Sequence, residues 1–90
     1  MRRITVRRQG ESTYRVEVEE GASSTTHDVT VRPDHLARYA SPATPPERLV
    51  EASFEFLLER EPKESILPSF ELPVIERYFP EFPRKIRENL

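Results

Sequence analysis

Two histidines and no cysteine leave this 90-residue chain few ways to do chemistry. His27 falls in step with Val29 and Val31 in an alternating stretch, which reads as a half-buried strand residue. His35 with Asp34 and His27 is the one combination that could gather a metal ion. Their separations match no known zinc or transition-metal ligand spacing, so an exposed pair is the expected arrangement. The two glycines both fall at breaks between alternating stretches, too few for a phosphate-cradling loop or a dinucleotide fingerprint. No Gly-x-Ser-x-Gly occurs, and the serines sit in turns or at helix ends, where local backbone hydrogen bonding accounts for them. Carboxylates are abundant, but no pair stands out among sixteen acids. The sequence therefore assigns no catalytic, cofactor-binding or metal residue, and an enzyme is not expected.

Two charged constellations remain. Arg2, Arg3, Arg7 and Arg8 crowd the first eight residues, with no acid among them. They suit contact with an anion or an acidic partner, or equally a strand kept soluble by charges that discourage edge-to-edge pairing. Glu47, Glu51, Glu55 and Glu59 recur every fourth residue, a spacing that costs a few tenths of a kcal/mol per like-charged pair on an isolated helix. Partial relief is expected from Arg48 to Glu51 and from Glu59 to Lys63. Glu51, Glu55 and Glu59 then form either a solvated face or an acidic ridge for a basic partner surface, including the arginine strand of a second copy.

The elements that must position these groups divide at the prolines, none of which precedes Pro33. Residues 1–32 alternate with period two. Ile4, Val6, Tyr14, Val16, Val18, His27, Val29 and Val31 take one face, and Arg3, Thr5, Arg7, Arg15, Glu17, Glu19, Thr26, Asp28 and Thr30 take the other. With breaks at Gly10 and Gly21, this predicts a three-stranded antiparallel meander with one dry face. Residues 33–43 read as a short helix, Leu36 and Tyr39 inward, followed by a loop.

The central helix, residues 44–61, opens on Thr44 and Glu47 as a capping box, with Pro45 at the first helical position. At 100° per residue its apolar side chains sweep about two-thirds of the circumference, against about a third for a helix lying on a surface. It must therefore be covered on two sides. In residues 62–90 the prolines are too dense for a long helix, yet single turns can begin at Pro73 and Pro83. This tail is too rich in Ile, Leu and aromatic residues for disorder. Phe70, Ile75, Tyr78 and Phe79 are expected on the Ala52, Phe56 and Leu49 side of the central helix.

Composition bounds the rest. Apolar residues make up 36% and charged residues 33% of the chain, lean in core for one domain of this size, so a homodimer that adds buried area is expected, through the open edge of the sheet. Absence of cysteine excludes disulfides and gives no support to an oxidising compartment. The start has no apolar stretch behind its charges, and no run approaches membrane-spanning length, so a cytoplasmic location is the default. Residues 47–76 hold eight acids and three bases, a net of −5 within a chain of net charge −2. Such a chain is a poor general nucleic-acid binder, and no nucleic-acid or membrane partner is expected.

The run Leu49-Val-Glu-Ala-Ser-Phe-Glu-Phe-Leu-Leu-Glu-Arg-Glu-Pro-Lys-Glu-Ser-Ile-Leu67, with Phe70-Glu-Leu-Pro-Val-Ile-Glu-Arg-Tyr-Phe-Pro80, resembles a small family of uncharacterised bacterial proteins. That implies a bacterial origin and no particular activity. A weaker similarity is to HicB-type antitoxins, in which a short antiparallel sheet also precedes a Thr-x-x-Glu-capped helix, here Thr44 to Glu47. The sequence thus points to a single α+β domain over residues 1–90, with a three-stranded meander packed on one long helix and closed by short helical turns. The function expected is a small non-catalytic protein-interaction or accessory module of the bacterial cytoplasm, needing no cofactor. The alternative is a nucleic-acid-associated regulator of antitoxin type that uses the Arg2, Arg3, Arg7 and Arg8 strand.

Overall fold

A computed structural model describes residues 1–90. Strand β1 (Arg2–Arg8), β2 (Thr13–Glu20) and β3 (Ser23–Thr30) form the meander that the alternation demands. Ile4 stands opposite Val18 and Val6 opposite Val16, while Val16 meets His27 and Tyr14 meets Val29 across the next ladder. Every apolar residue of the three strands therefore shares one face, because a slip by one residue would turn the whole set to solvent. Gly21 takes φ 59 at the first of the two residues joining β2 to β3, the position where a tight hairpin turn of type II′ needs a glycine.

The sheet is larger than the alternation predicts. A fourth strand, β4 (Ser69–Glu71), lies parallel to β3, with Asp28, Val29 and Thr30 beside Ser69, Phe70 and Glu71. The expected three-stranded antiparallel sheet is thus a four-stranded mixed sheet in the order β1-β2-β3-β4. A strand of three residues cannot show a period, and parallel pairing leaves no turn signal between partners. Long-range contacts hold β4 in place. The Asp28 N–H donates to the Pro68 carbonyl at 2.8 Å, and the Leu72 N–H donates to the Thr30 carbonyl at 3.0 Å.

Helix α1 (Pro33–Tyr39) and α2 (Pro46–Leu58) connect β3 to β4, and α3 (Val74–Tyr78) and α4 (Phe82–Glu88) follow it. The two tail helices begin beside Pro73 and Pro83, as expected from residues that lose nothing by lacking an N–H in a first turn. Helix α2 is shorter than residues 44–61. Pro45 is its N-cap, with φ −60 and ψ 130, and no side chain caps it. A residue before proline is driven out of the helical region, so Pro46 forces Pro45 to be extended and displaces the expected Thr44 capping box. The Thr44 hydroxyl instead meets that of Ser41 at 3.0 Å. At the other end Pro62 restricts Glu61 in the same way, and the chain leaves the helix through a turn closed on the Leu57 carbonyl.

Buried residues run around most of α2: Leu49, Val50, Ala52, Ser53, Phe54, Phe56, Leu57 and Leu58. The sheet covers one side, with β1 closest, and α1 and α4 cover the other. Phe56 is the centre of the second interface, its ring 5.2 Å from Phe82 and 5.8 Å from Phe79, both edge-on. Phe70 departs from expectation: it packs at 6.2 Å on Phe54, at the sheet side of the helix. Tyr78 is not core at all, with 67% of its surface exposed.

Candidate functional site

Both histidines are buried, and neither is the exposed or half-buried residue its local sequence suggests. His27 is 2% exposed. Its Nδ1 lies 2.8 Å from the Leu67 carbonyl, which can only accept, so Nδ1 donates there, and Nε2 lies 2.9 Å from the Thr25 hydroxyl. The partner that buries the ring arrives from forty residues later, out of reach of any local pattern. His35 is 8% exposed, and its Nδ1 accepts from the Arg32 N–H at 3.1 Å, closing the first turn of α1. Asp34 lies 4.0 Å from the other ring nitrogen. No group of three or more His, Cys, Asp or Glu converges as metal ligands.

The glutamates of α2 have different partners. Arg48 reaches Glu51 at 3.1 Å and Glu55 at 3.7 Å, whereas Glu59 turns away to Arg60. Lys63 does not pair with Glu59 as its spacing suggests. Its ammonium is buried between Glu64 at 2.6 Å and Glu20 at 3.8 Å, because the turn after α2 points it back toward the end of β2. Hydrogen bonding to Lys63 holds the Glu64 carboxyl below the usual carboxylate range.

The four arginines also differ in their surroundings. Arg2 pairs with Glu20 at 3.4 Å, and Arg8 donates to the carbonyls of Gly10 and Glu11 at 2.9 Å, bracing its own hairpin. Arg3 and Arg7 are exposed on the uncovered face of the sheet, and neither binds a carboxylate. Arg7 stands opposite Arg15, which is itself held by Asp28 at 3.1 Å.

The feature that sequence reasoning missed is an apolar groove of about 170 Å³ where α2, β4 and α3 meet. Leu57, Ile66, Phe70 and Val74 line it, and the exposed Tyr78 and Leu67 stand at the rim. Its polar contributions are Glu61 and Ser65 alone. Leu67 is 43% exposed, and with Tyr78 it makes two of the four large hydrophobic residues that are exposed rather than half-buried. The only local signal was the surplus of apolar residues in a segment without a long element to bury them.

Two clamps fix the walls. His27 holds the Leu67 carbonyl from β3. On the other side Glu76 ties α3 to α1: Arg38 donates to both of its carboxylate oxygens at 2.8 and 3.0 Å, and the Tyr39 hydroxyl donates at 2.7 Å. Burial pushes the Tyr39 hydroxyl up to about 12, and the bond to Glu76 adds to the effect. An unfolded tyrosine ionises near 10, so the folded value is the higher one. The contribution of neutral Tyr39 is then complete below about pH 10 and is lost as pH rises through about 12. Tyr39→Phe should cost about 1.5 kcal/mol at neutral pH, the low end for a hydrogen bond to a charged group because Arg38 still serves Glu76. That difference should shrink above about pH 10 in denaturant titrations, and the last tyrosinate step in an alkaline absorbance titration should disappear.

Fold and site together define a two-layer α+β protein whose mixed sheet is covered by helices on one face only. No protein-family model matches the chain, and neither a curated protein nor a solved structure does. None of its helices is long and apolar enough to cross a membrane.

Proposed function

We propose that this protein is a non-catalytic interaction module of the bacterial cytoplasm, which docks an apolar side chain of a protein partner in the groove between α2, β4 and α3. The observation that carries the reading is the pairing of a fixed apolar groove with an exposed leucine and an exposed tyrosine at its rim. Tyrosine is enriched where interfaces are dry at one end and wet at the other, and a concave apolar site flanked by a few polar groups suits a buried anchor residue. The groove's walls are held from β3 and α1, so little ordering is lost on binding.

The regulator of antitoxin type draws less support. Arg2 and Arg8 are committed within the chain, which leaves Arg3 and Arg7 as the free cations of that strand. Two phosphate contacts on duplex DNA give a slope of only about −1.8 in log K against log salt.

Leu67→Glu and Tyr78→Glu test the groove directly, since both side chains are exposed and each substitution should change stability by less than about 0.5 kcal/mol. An apolar fluorescent dye should bind the folded parent and be excluded by the double variant. Equal dye binding by parent and variant, with unchanged melting, would show that the groove is not an accessible apolar site.

A further inference from the structure

The second open surface is the edge of β1. The Gln9 N–H donates to the Thr13 carbonyl, which marks that pair as hydrogen-bonded. Hydrogen-bonded and non-bonded pairs alternate along an antiparallel ladder, so the backbone groups of Arg3, Thr5 and Arg7 point at β2, while those of Ile4 and Val6 point outward. Nothing pairs with this edge, since the sheet begins at β1. Ile4 and Val6 are half-buried. On the inner side of the edge Ile4 lines two hollows with Glu51, one shared with Val6, Glu47 and Arg48 and the other with Arg2, Glu20 and Glu55. On the outer side stand Arg3 and Arg7. The edge thus offers hydrogen bonds along its length, an apolar inner flank on which Glu20, Glu47, Glu51 and Glu55 outnumber Arg2 and Arg48, and a basic outer flank.

We propose that the edge of β1 accepts an extended segment of a partner protein, whose inward side chains are β-branched or basic and whose outward side chains are acidic. The pattern is already met on the opposite side of β1. There β2 places Val16 and Val18 inward beside Val6 and Ile4, and Glu17 and Glu19 outward beside Thr5 and Arg3. Strand addition of this kind takes affinity from main-chain bonds and specificity from alternate side chains. A second copy of this chain fits poorly. Antiparallel pairing of two β1 edges centred on Thr5 would set arginine against arginine on the outer face and bring two Glu51 and Glu55 ridges together on the inner one. The edge-to-edge homodimer expected from the lean core is therefore disfavoured. The site is separate from the apolar groove, and either can stand without the other.

The probe is the peptide Glu-Lys-Glu-Val-Glu-Val-Glu, titrated into the full isotope-labelled chain and followed by amide shifts. Peptide and protein are both net acidic, so long-range attraction does not favour binding. The expected result is saturable shifts centred on Ile4 and Val6. Methylation of the peptide's backbone nitrogens at alternate residues should abolish them. Arg3→Glu with Arg7→Glu should weaken binding about tenfold, as loss of outward charge complementarity requires. Replacing the peptide lysine by glutamate should weaken binding to the parent and restore it in Glu51→Lys with Glu55→Lys. No shift at Ile4 and Val6 at millimolar peptide would overturn the proposal, as would shifts confined to Phe70 and Tyr78, or affinities indifferent to methylation and to both charge reversals.

Discussion

A chain ending at Pro68 should show no cooperative thermal transition. It would lose Leu72, Ile75, Phe82 and Ile86, all buried, together with β4 and the aromatic cover that Phe79 and Phe82 lay over Phe56. Removing one large buried side chain costs about 3–5 kcal/mol, whereas a domain of this size has about 5–15 kcal/mol in total. The truncation removes four such side chains and uncovers Tyr39, whose ring lies 5.2 Å from Phe82. Circular dichroism should record a broad, gradual loss of signal, while removal of exposed Leu90 alone should leave the transition within about 0.5 kcal/mol of the parent. A sharp transition near the parent's temperature in the truncated chain would show that the tail is not part of the core.

Phe56→Ala should destabilise the chain by about 3–5 kcal/mol in urea titration. Its ring is 2% exposed, meets Phe79 and Phe82 edge-on, and carries the Arg60 guanidinium 3.6 Å above its centre. The same arginine donates to the Phe56 carbonyl at 3.0 Å and to Glu81 at 3.3 Å, joining the end of α2 to the start of α4. The substitution therefore leaves a cavity and removes the aromatic face beneath Arg60, whose bonds to the residue-56 carbonyl and to Glu81 remain. Glu55→Ala, one residue earlier on the exposed side, should change stability by less than about 0.5 kcal/mol. A Phe56→Ala loss under about 1 kcal/mol would mean that α4 does not rest on this ring.

What local sequence encodes and what it does not follow from range. The register of β1, β2 and β3 was legible because each strand buries one face, and a period of two admits a single solution for Ile4, Val6, Val16 and Val18. The near-complete burial of α2 was legible because apolar residues outran a single face. Helix α2 starts one residue later than the capping-box pattern at Thr44 implies, since that pattern takes no account of two consecutive prolines. Strand β4 and the burial of His27 were out of reach. Both depend on residues 67–72 returning to β3, and neither leaves a mark within the window in which a period can be counted.

The candidate groove shares that origin. Leu57, Phe70 and Tyr78 come from three elements that only the tertiary fold brings together, whereas the arginines of β1 and the glutamates of α2 are clustered in sequence. Of the four arginines, Arg2 and Arg8 are absorbed by neighbours on β2 and its hairpin, and of the three glutamates Glu59 parts from Glu51 and Glu55.

The most direct measurement places a photo-crosslinking amino acid at Tyr78 in one chain and at Arg3 in another, each expressed in bacterial cells and irradiated. Exposure of both positions makes the two chains comparable in stability. A module that docks its partner in the groove should give a discrete protein adduct from the Tyr78 position, and Leu67→Glu in the same chain should abolish that adduct without lowering the melting temperature. An adduct from Arg3 to nucleic acid, with none from Tyr78, would contradict the account and favour the antitoxin-type regulator.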